Sequence, residues 1–263
     1  MSVGGRWAIV TGASSGIGKA LALEFAKNGF HVLLTGRNEA ALNDVAAECS
    51  KQFQVETDIV AADLSVLNSV DRLIVAIGSK PRRYEILVNN AGFGIHGEFA
   101  KTSVDQELQL IHVQLDAALK LTKAVLPEMI ARRSGRILNV ASVYGFAPVP
   151  FQAVYSACKS FLVSFSTSLR NELKDTGVSV TVFCPGITQS EFRNRAGISD
   201  KHKATGMTAA AAARIAYEGS IRGKAVIIPG ILNRLFVFAS RVLPGGFYAS
   251  VVNLINRLRG VST

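Results

Sequence analysis

Tyr155 and Lys159 stand four residues apart in the run YSACK, which leads into an apolar stretch. Residues four apart on a helix lie on the same face, so a phenol and an ammonium would point into the same space. A phenol has an unperturbed pKa of about 10, and a nearby ammonium lowers that pKa by favouring the phenolate. Such a pair could exchange protons near neutral pH, as general acid–base catalysis requires. The spacing alone leaves open an exposed polar pair on an amphipathic helix.

A glycine-rich stretch, TGASSGIG, runs from Thr11 to Gly18 between a strand-like run and a helical pattern. Gly12 allows a tight turn, Gly16 allows a ligand to approach the backbone, and Gly18 allows the helix to pack on the strand. The helix N-terminus offers N–H groups and a positive dipole end to a diphosphate. We therefore expect a dinucleotide site here, with a glycine-rich turn that holds no ligand as the alternative.

The end of the second strand indicates which dinucleotide is bound. In LLTGRN, Gly36 and Arg37 occupy the place where NAD-binding sheets carry an acidic residue for the ribose 2′-hydroxyl. A carboxylate would repel a 2′-phosphate, whereas a guanidinium can donate two hydrogen bonds to it. Arg37 could also be an ordinary surface residue, but its position favours a 2′-phosphate contact and therefore NADP(H).

An alternating pattern of short apolar runs and longer helical patterns must position these residues. The strand-like runs are WAIVTG, HVLLTG, TDIVAADL, YEILVNNAG, GRILNVAS, VSVTVFCPG and KAVIIPG. Strands that are apolar on consecutive residues and separated by helices indicate a parallel sheet covered on both faces. The predicted fold class is α/β, with a single doubly wound Rossmann-type domain of seven parallel strands over residues 1–263.

Composition agrees with a protein that buries a large core. The chain has 263 residues, 49% of them hydrophobic and 18% charged. Cys49, Cys158 and Cys184 are too widely spaced for a disulfide framework or a metal cluster, so we expect no metal and a cytoplasmic location. We also expect no signal peptide and no membrane-spanning segment. The net charge of +10 suits an anionic partner, but without an arginine-rich arm or an aromatic RNA-reading motif we expect no nucleic acid.

Taken together, the motifs resemble those of the short-chain dehydrogenase/reductase family. In chain order they are TGASSGIG, Asp63-Leu64, NNAG ending at Gly92, Ser142, YSACK, and CPG ending at Gly186. The resemblance extends from about residue 6 to residue 230, and Ser142 lies thirteen residues before Tyr155, as is typical of the family. It implies an oxidoreductase that exchanges hydride between a nicotinamide cofactor and a carbonyl or secondary alcohol.

The resemblance also implies which residues bind the cofactor. The matching positions are Gly12, Ser14, Ser15, Gly16, Ile17 and Gly18 at the diphosphate, Asp63 and Leu64 at the adenine, Asn90, Ala91 and Gly92 beside the adenosine ribose, and Pro185, Gly186, Ile187 and Thr188 along the nicotinamide. Ser190 stands where many relatives have a threonine near the carboxamide. Tyr155 and Lys159 are expected to contact the cofactor as well, Lys159 through the nicotinamide ribose hydroxyls.

The implied catalytic residues are Ser142, Tyr155, Lys159 and Gln114. Tyr155 would donate a proton to the carbonyl oxygen in reduction and accept it in oxidation, while Ser142 would orient and polarise the carbonyl. Ser142 could instead cap its own backbone. Gln114 stands where the family has an asparagine whose backbone carbonyl holds a water, and its longer side chain puts that water relay in question. An alignment shifted to His112 is the alternative.

The substrate is expected to be an apolar carbonyl compound or alcohol, such as a 3-oxoacyl or hydroxysteroid-like lipid. The residues near the predicted site that favour it are Val143, Tyr144, Pro148, Val149, Pro150, Phe151 and Phe192. Several of them could belong to the core or to an interface instead. Residues 193–208 correspond to the variable substrate lid of the family. The competing function is a non-enzymatic NADP(H)-binding sensor or scaffold.

Residues 231–263 form a predicted amphipathic helical C-terminal extension. Apolar residues recur there at helical spacing, and arginines accompany them with no acidic residue after Glu218. These helices could contact an anionic membrane peripherally, cover the substrate pocket or pack on another subunit. The runs Gln114 to Met129 and Val154 to Leu169 resemble the helices through which relatives assemble, so a homodimer or homotetramer is expected. The apolar face of the second run could instead belong to the core.

Overall fold

The apolar runs form strands of one parallel sheet, which confirms the predicted fold class. The computed structural model describes residues 5–198 and 206–258. The strands are β1 (Arg6–Thr11), β2 (His31–Gly36), β3 (Thr57–Ala61), β4 (Arg83–Asn89), β5 (Gly135–Val140), β6 (Val178–Phe183), β7 (Thr188–Gln189), β8 (Met207–Thr208) and β9 (Val226–Ile227). Seven of them pair in the order β3-β2-β1-β4-β5-β6-β9, all in parallel. The chain order reverses between β1 and β4, and ligands of such sheets bind at this switch point, beyond the carboxyl ends of the strands.

Helices connect the strands and cover both faces of the sheet. They are α1 (Gly16–Lys27), α2 (Glu39–Phe53), α3 (Ser69–Gly78), α4 (Val104–Ile111), α5 (Ala117–Ala131), α6 (Ala153–Glu172), α7 (Phe192–Arg195), α8 (Ala209–Ile221), α9 (Ile231–Val242) and α10 (Gly245–Leu258). A π-helical turn at His112–Asp116 joins α4 to α5, and a 3-10 turn at Val143–Phe146 follows β5.

The side chains of β1 show how the sheet divides the core. Ala8 and Val10 point to one face, where they pack in a cluster with residues of α1, α2 and α8. Trp7 and Ile9 point to the other face, towards α3, α5 and α6. Side chains alternate between the two faces of a strand, so a strand buried on both sides must be apolar at consecutive positions. This is why the run WAIV reads as continuously apolar.

Two regions depart from the simple alternation of strands and helices. β7 and β8 form a separate two-stranded parallel pair that the sequence did not predict. Part of the predicted lid, residues 199–205, lies outside the described residues, and the described parts contain α7 and β8. In the predicted extension the chain forms α9 and α10, and residues 259–263 again lie outside the described residues. Within the described ranges, no helix combines the length and apolar content needed to cross a bilayer.

Candidate active site

A cleft of about 1240 Å³ opens at the carboxyl ends of the strands. The loops that follow β1 to β6 form its walls, together with α9 and residues near β7 and β8. This is the position expected for a ligand site in a doubly wound sheet. The predicted cofactor residues that line it are Gly12, Ser14, Ser15, Gly16, Ile17, Gly18, Arg37, Asp63, Leu64, Asn90, Ala91, Gly92, Tyr155, Lys159, Pro185, Gly186, Ile187 and Thr188.

The turn between β1 and α1 is shaped by its glycines. Gly12 has a φ of +66°, and a Cβ there would lie 2.9 Å from the Cα of Ala91. A Cβ on Gly18 would lie 2.0 Å from the carbonyl oxygen of Gly12. The first position therefore needs the left-handed conformation and the second needs the space of a missing side chain. Only because both are glycines can the turn close tightly against the start of α1.

The segment after β4 holds this turn in place. The Thr11 hydroxyl oxygen accepts hydrogen bonds from the backbone N–H groups of Asn90 and Ala91, both at 2.9 Å. The amide nitrogen of Asn90 donates to the Thr11 carbonyl oxygen at 2.8 Å. These bonds satisfy polar groups that the turn would otherwise leave open, and they fix the N-terminus of α1 beside the cleft. The NNAG motif thus supports the glycine loop, a contact that sequence order alone did not show.

The predicted catalytic side chains come from β5 and α6. Ser142 follows β5, and its hydroxyl oxygen accepts from the backbone N–H of Tyr144 at 3.2 Å, which caps the 3-10 turn. Tyr155 lies in the first turn of α6 and Lys159 one turn later, and both are buried. The Lys159 Nζ lies 5.5 Å from the centre of the Tyr155 ring. Ser142, Tyr155 and Lys159 all line the cleft, so the structure brings the three residues together.

Burial has the largest effect on the pKa of the Tyr155 phenol. The residue is 7% exposed, and the Phe192 ring lies 5.5 Å from its ring. Burial raises the pKa of the phenol above its ordinary value, while hydrogen bonding with the Ser142 hydroxyl opposes the rise. This direction contradicts the prediction that the ammonium of Lys159 lowers the pKa. The prediction considered the charge of that ammonium but not the desolvation of the phenol, and here desolvation is the larger effect.

Lys159 is itself held in an unfavourable environment for a charge. The residue is 4% exposed, and burial lowers the pKa of its ammonium to about 8. Its Nζ donates a hydrogen bond to the Val140 carbonyl oxygen at 3.0 Å. This bond directs the ammonium from α6 towards the end of β5, at the floor of the cleft. The lysine is therefore positioned by the sheet as well as by its own helix.

The position of Gln114 differs from that expected of a catalytic residue. It is 2% exposed and lies in the π-helical turn, and its Nε2 donates to the Phe93 carbonyl oxygen at 3.0 Å. It borders a separate small cavity of about 10 Å³, together with Asn89, and does not line the cleft. Among the described residues, no donor reaches either Gln114 Oε1 or Asn89 Oδ1. The longer side chain thus reaches the segment after β4 and supports it. The alternative residue, His112, pairs with Asp116 at 3.7 Å.

The predicted apolar substrate residues divide into two groups. Val143, Tyr144 and Phe192 line the cleft. The run from Pro148 to Phe151 does not, which corrects the prediction for Pro148, Val149, Pro150 and Phe151. Val149 instead packs in a cluster with Ala147, Tyr248 and Val252. The turn after β5 carries this run away from the cleft, where it supports α10.

The structure adds cleft residues that the sequence interpretation missed. Arg195 of α7 reaches the glycine loop, where its Nη1 donates to the Ser15 hydroxyl at 3.4 Å. Apolar side chains of α9 and α10 also line the cleft, namely Ile231, Leu232, Phe236 and Val252. The basic character of the lid and the helical periodicity of the tail were the available signals. Neither showed which segments would fold back over the sheet.

These features fit a dinucleotide and provide acid–base groups beside it. The glycine turn leaves room for a diphosphate at the N-terminus of α1, and Arg37 and Arg195 add positive charge along the same cleft. Within the described residues, no group of His, Cys, Asp or Glu side chains could hold a metal ion. Fold and site together define a nicotinamide-dependent oxidoreductase of the doubly wound type.

Comparison with known proteins gives the family. Residues 6–201 match the short chain dehydrogenase family. An uncharacterized oxidoreductase of Staphylococcus epidermidis is 35% identical over 196 residues, which is 74% of this chain and 84% of that protein. A very-long-chain 3-oxoacyl-CoA reductase of Laccaria bicolor is 38% identical over 183 residues, which is 67% of this chain and 53% of that protein. The chain thus spans about half the length of this second relative.

A solved structure agrees with these matches. The short-chain dehydrogenase from Sphingobium yanoikuyae in complex with NADPH has a TM-score of 0.81 and 28% sequence identity, with 98% of this chain and 96% of that chain covered. The protein belongs to the short-chain dehydrogenase family, which confirms the resemblance seen in its motifs.

Proposed function

We propose that the protein transfers hydride between NADP(H) and a carbonyl or secondary alcohol on an apolar substrate, with 3-oxoacyl lipids as the favoured class. One observation carries this proposal. Ser142, Tyr155 and Lys159 lie on the same cleft as the glycine turn and Arg37. A cofactor site and a set of acid–base groups that share one cavity can act on one bound substrate.

The nicotinamide, when bound, supplies the hydride in reduction and accepts it in oxidation. Tyr155 holds the proton. Tyr155 is protonated at neutral pH, because even an ordinary phenol has a pKa of about 10 and burial raises the pKa of this one. The proton is therefore in place for the oxygen of a carbonyl substrate, which becomes more basic as hydride reaches its carbon. The Ser142 hydroxyl is a second donor for that oxygen. Lys159, whose pKa is lowered to about 8, is mostly cationic at neutral pH and supplies the positive charge near the reacting oxygen.

The preference for NADP(H) rests on Arg37. This exposed residue lies directly after β2 and before Asn38, which caps α2 by accepting from the Ala41 N–H at 3.0 Å. It lines the cleft, and the chain has no carboxylate at Gly36 or Arg37 to accept a ribose 2′-hydroxyl. A guanidinium at this place can donate two hydrogen bonds to a 2′-phosphate. The Sphingobium relative is likewise a complex with NADPH.

The apolar substrate class rests on the walls beyond Tyr155. Phe192, Ile231, Leu232, Phe236 and Val252 line this part of the cleft. Such walls favour an acyl chain or a ring system over a sugar or a small acid. The Laccaria relative is described as a very-long-chain 3-oxoacyl-CoA reductase, which supports 3-oxoacyl compounds ahead of hydroxysteroid-like lipids.

A substrate screen tests the proposal. The full chain is mixed with NADPH or NADH and a panel of 3-oxoacyl thioesters of increasing length, ketosteroids, small ketones and keto sugars, and oxidation is followed by absorbance. We expect NADPH oxidation to be fastest with the longer 3-oxoacyl compounds. Tyr155→Phe should slow it at least about a hundredfold, whereas the same change at Tyr217, on α8 and outside the lining of the cleft, should leave the rate unchanged. Tight NADPH binding without any turnover would favour the sensor or scaffold function.

We further infer that the protein assembles as a homodimer or homotetramer through α5 and α6. The exposed side of α6 carries a row of small residues, Ala153, Ala157, Ser160 and Ser164. Small side chains let helices of two subunits approach closely in a symmetric interface. Light scattering after size exclusion would give the mass, and a monomer at micromolar concentration would contradict the inference.

A further inference from the structure

The outer surface of α9 and α10 exposes large apolar side chains. On α9, Leu235, Phe238 and Val242 are 56%, 67% and 64% exposed, and on α10, Phe247 and Leu254 are each 58% exposed. We call these five residues the α9–α10 surface. Single exposed apolar residues are common on proteins, but several on the same helix face are typical of an interaction site.

The exposed apolar residues of α9 lie on a face that the core does not cover. Leu235, Phe238 and Val242 recur at spacings of three and four residues, so they lie on one helix face. The opposite face is already used: Val237 is buried, and the Phe236 ring lies 5.3 Å from that of Tyr248. An amphipathic helix of a globular protein turns its apolar stripe towards the core. Here a second apolar stripe points away from the described part of the chain.

Positive charge accompanies the α9–α10 surface. Arg234 and Arg241 are exposed on α9, and each directly precedes a member of the stripe, Leu235 and Val242 respectively. The Arg234 Nε donates to the Ile228 carbonyl oxygen at 3.1 Å, and the Arg241 guanidinium lies 5.4 Å from the centre of the Phe146 ring. No acidic residue follows Glu218 in the sequence. In a symmetric dimer through this surface, the arginines of one subunit would face those of the other, and the repulsion disfavours such a dimer. A membrane with anionic headgroups matches both the positive charge and the apolar side chains of the surface.

We propose that the α9–α10 surface docks the protein on a bilayer that contains anionic lipids. The apolar stripe enters the boundary between headgroups and acyl chains, and the arginines stay at the level of the lipid phosphates. Each arginine near such a surface contributes about 1 kcal/mol, or about a fivefold gain in affinity.

The docked face adjoins the mouth of the cleft. Ile231 and Leu232 are exposed at the start of α9 and also line the cleft. An apolar substrate dissolved in the bilayer could therefore enter without crossing water. This entry route rests on the proposed function, whereas the docking itself does not.

Vesicle flotation tests the apolar contribution. The full chain is mixed with vesicles of phosphatidylcholine alone, or with about one third phosphatidylserine, at low salt. We expect flotation with the anionic vesicles and at least about tenfold less with the double variant Leu235→Ser, Phe238→Ser, because two inserted side chains are lost. Phe99→Ser is the control for a single exposed phenylalanine outside α9 and α10, since Phe99 is 68% exposed in the turn that precedes α4. Equal flotation of the double variant and the control would overturn the proposal.

A second pair of variants tests the charge. Arg234→Gln with Arg241→Gln should lower anionic vesicle binding about tenfold or more. The control is the double variant Arg72→Gln, Lys51→Gln, which removes the same net charge from exposed positions on α3 and α2. It should lower binding to anionic vesicles much less. No flotation of the wild type with anionic vesicles at low salt would refute docking. So would sedimentation showing that the Leu235→Ser, Phe238→Ser variant turns a dimer into a monomer, because the surface would then be a subunit interface.

Activity in solution separates this proposal from the proposed function. Leu235 and Phe238 do not line the cleft, so the double variant should reduce a short, water-soluble 3-oxoacyl thioester at the wild-type rate. If the wild-type protein binds vesicles but turns over none of the substrates in the panel, the docking stands and the proposed reaction fails. If turnover is normal but vesicles are not bound, the reaction stands and the docking fails.

Discussion

Gly18→Ala should disorganise the glycine turn even though it lies in a helix. A Cβ at this position would lie 2.0 Å from the carbonyl oxygen of Gly12 and 2.5 Å from the amide nitrogen of Asn90, where contacts below 3.0 Å are essentially never seen. The carbonyl belongs to the backbone and cannot rotate away like a flexible side chain. The turn and the start of α1 must therefore separate by about 1 Å.

The expected magnitude follows from two opposing effects. Alanine is favoured over glycine inside a helix by about 1 kcal/mol, whereas overpacking a well-filled site costs about 1–3 kcal/mol. Because the clash is with backbone, we expect the cost to lie at the upper end of its range, so the second effect wins by up to about 2 kcal/mol and Tm falls by up to about 8 °C. NADPH binding should weaken about 10–100-fold, since the N–H groups that face the diphosphate move by about 1 Å.

Thermal unfolding and a fluorescence titration with NADPH measure these two quantities. Gly78→Ala is the matched control, because Gly78 is the last residue of α3 and a Cβ there meets nothing within 4 Å. It should keep the wild-type affinity for NADPH and a Tm at or slightly above that of the wild type. If Gly18→Ala also binds NADPH with wild-type affinity, the turn does not carry the diphosphate and the cofactor assignment is wrong.

Three further predictions concern the chemistry of the cleft. Tyr155→Phe should lower kcat by about 10²–10⁴-fold while the Kd for NADPH changes little, and an unchanged kcat would exclude Tyr155 as the acid. Arg37→Ala should weaken NADPH about 10–100-fold and NADH hardly at all, and equal losses in the two titrations would refute the 2′-phosphate contact. Lys159→Met should abolish turnover but raise the free energy of unfolding at pH 7 by about 1–3 kcal/mol, because the wild type buries a charge. The pKa of Lys159 falls from 10.5 to about 8 on folding, so the unfolded chain holds this proton more tightly than the folded chain does. The free energy of unfolding of the wild type therefore rises as pH increases from about 8 to 10.5. The stability advantage of Lys159→Met should shrink over the same pH range. Urea unfolding at pH 7 and at about pH 9.5 measures it, and a difference that does not shrink would contradict the lowered pKa.

The strands and the glycine turn were predictable because their determinants are local. Consecutive apolar residues such as those of β1, ended by Gly12, are required wherever a strand is buried on both faces. The residues that line the cofactor side of the cleft were likewise identified through motifs at the carboxyl ends of strands. In a doubly wound sheet these ends converge on one edge whatever the intervening helices contain.

Electrostatics at the catalytic residues depended on contacts that no local pattern shows. The spacing of Tyr155 and Lys159 correctly predicted a shared face, but the direction of the phenol pKa was wrong. Burial of the phenol involves Phe192, which lies 37 positions further along the chain. The role of Gln114 could not be predicted from the sequence either, since it depends on a hydrogen bond to the Phe93 carbonyl oxygen, 21 positions away in the chain. Desolvation sums over all neighbours, so it is known only after the chain has folded.

The sequence by itself determined the sheet, the glycine turn and the positions of Ser142, Tyr155 and Lys159 in the chain, because apolar runs, turn glycines and helical spacing act over a few residues. Only the tertiary structure decided which way α9 turns its apolar stripe and which groups are desolvated. Periodicity shows that a helix has an apolar face, but whether that face meets the core or the surroundings depends on the surface already available for it to cover.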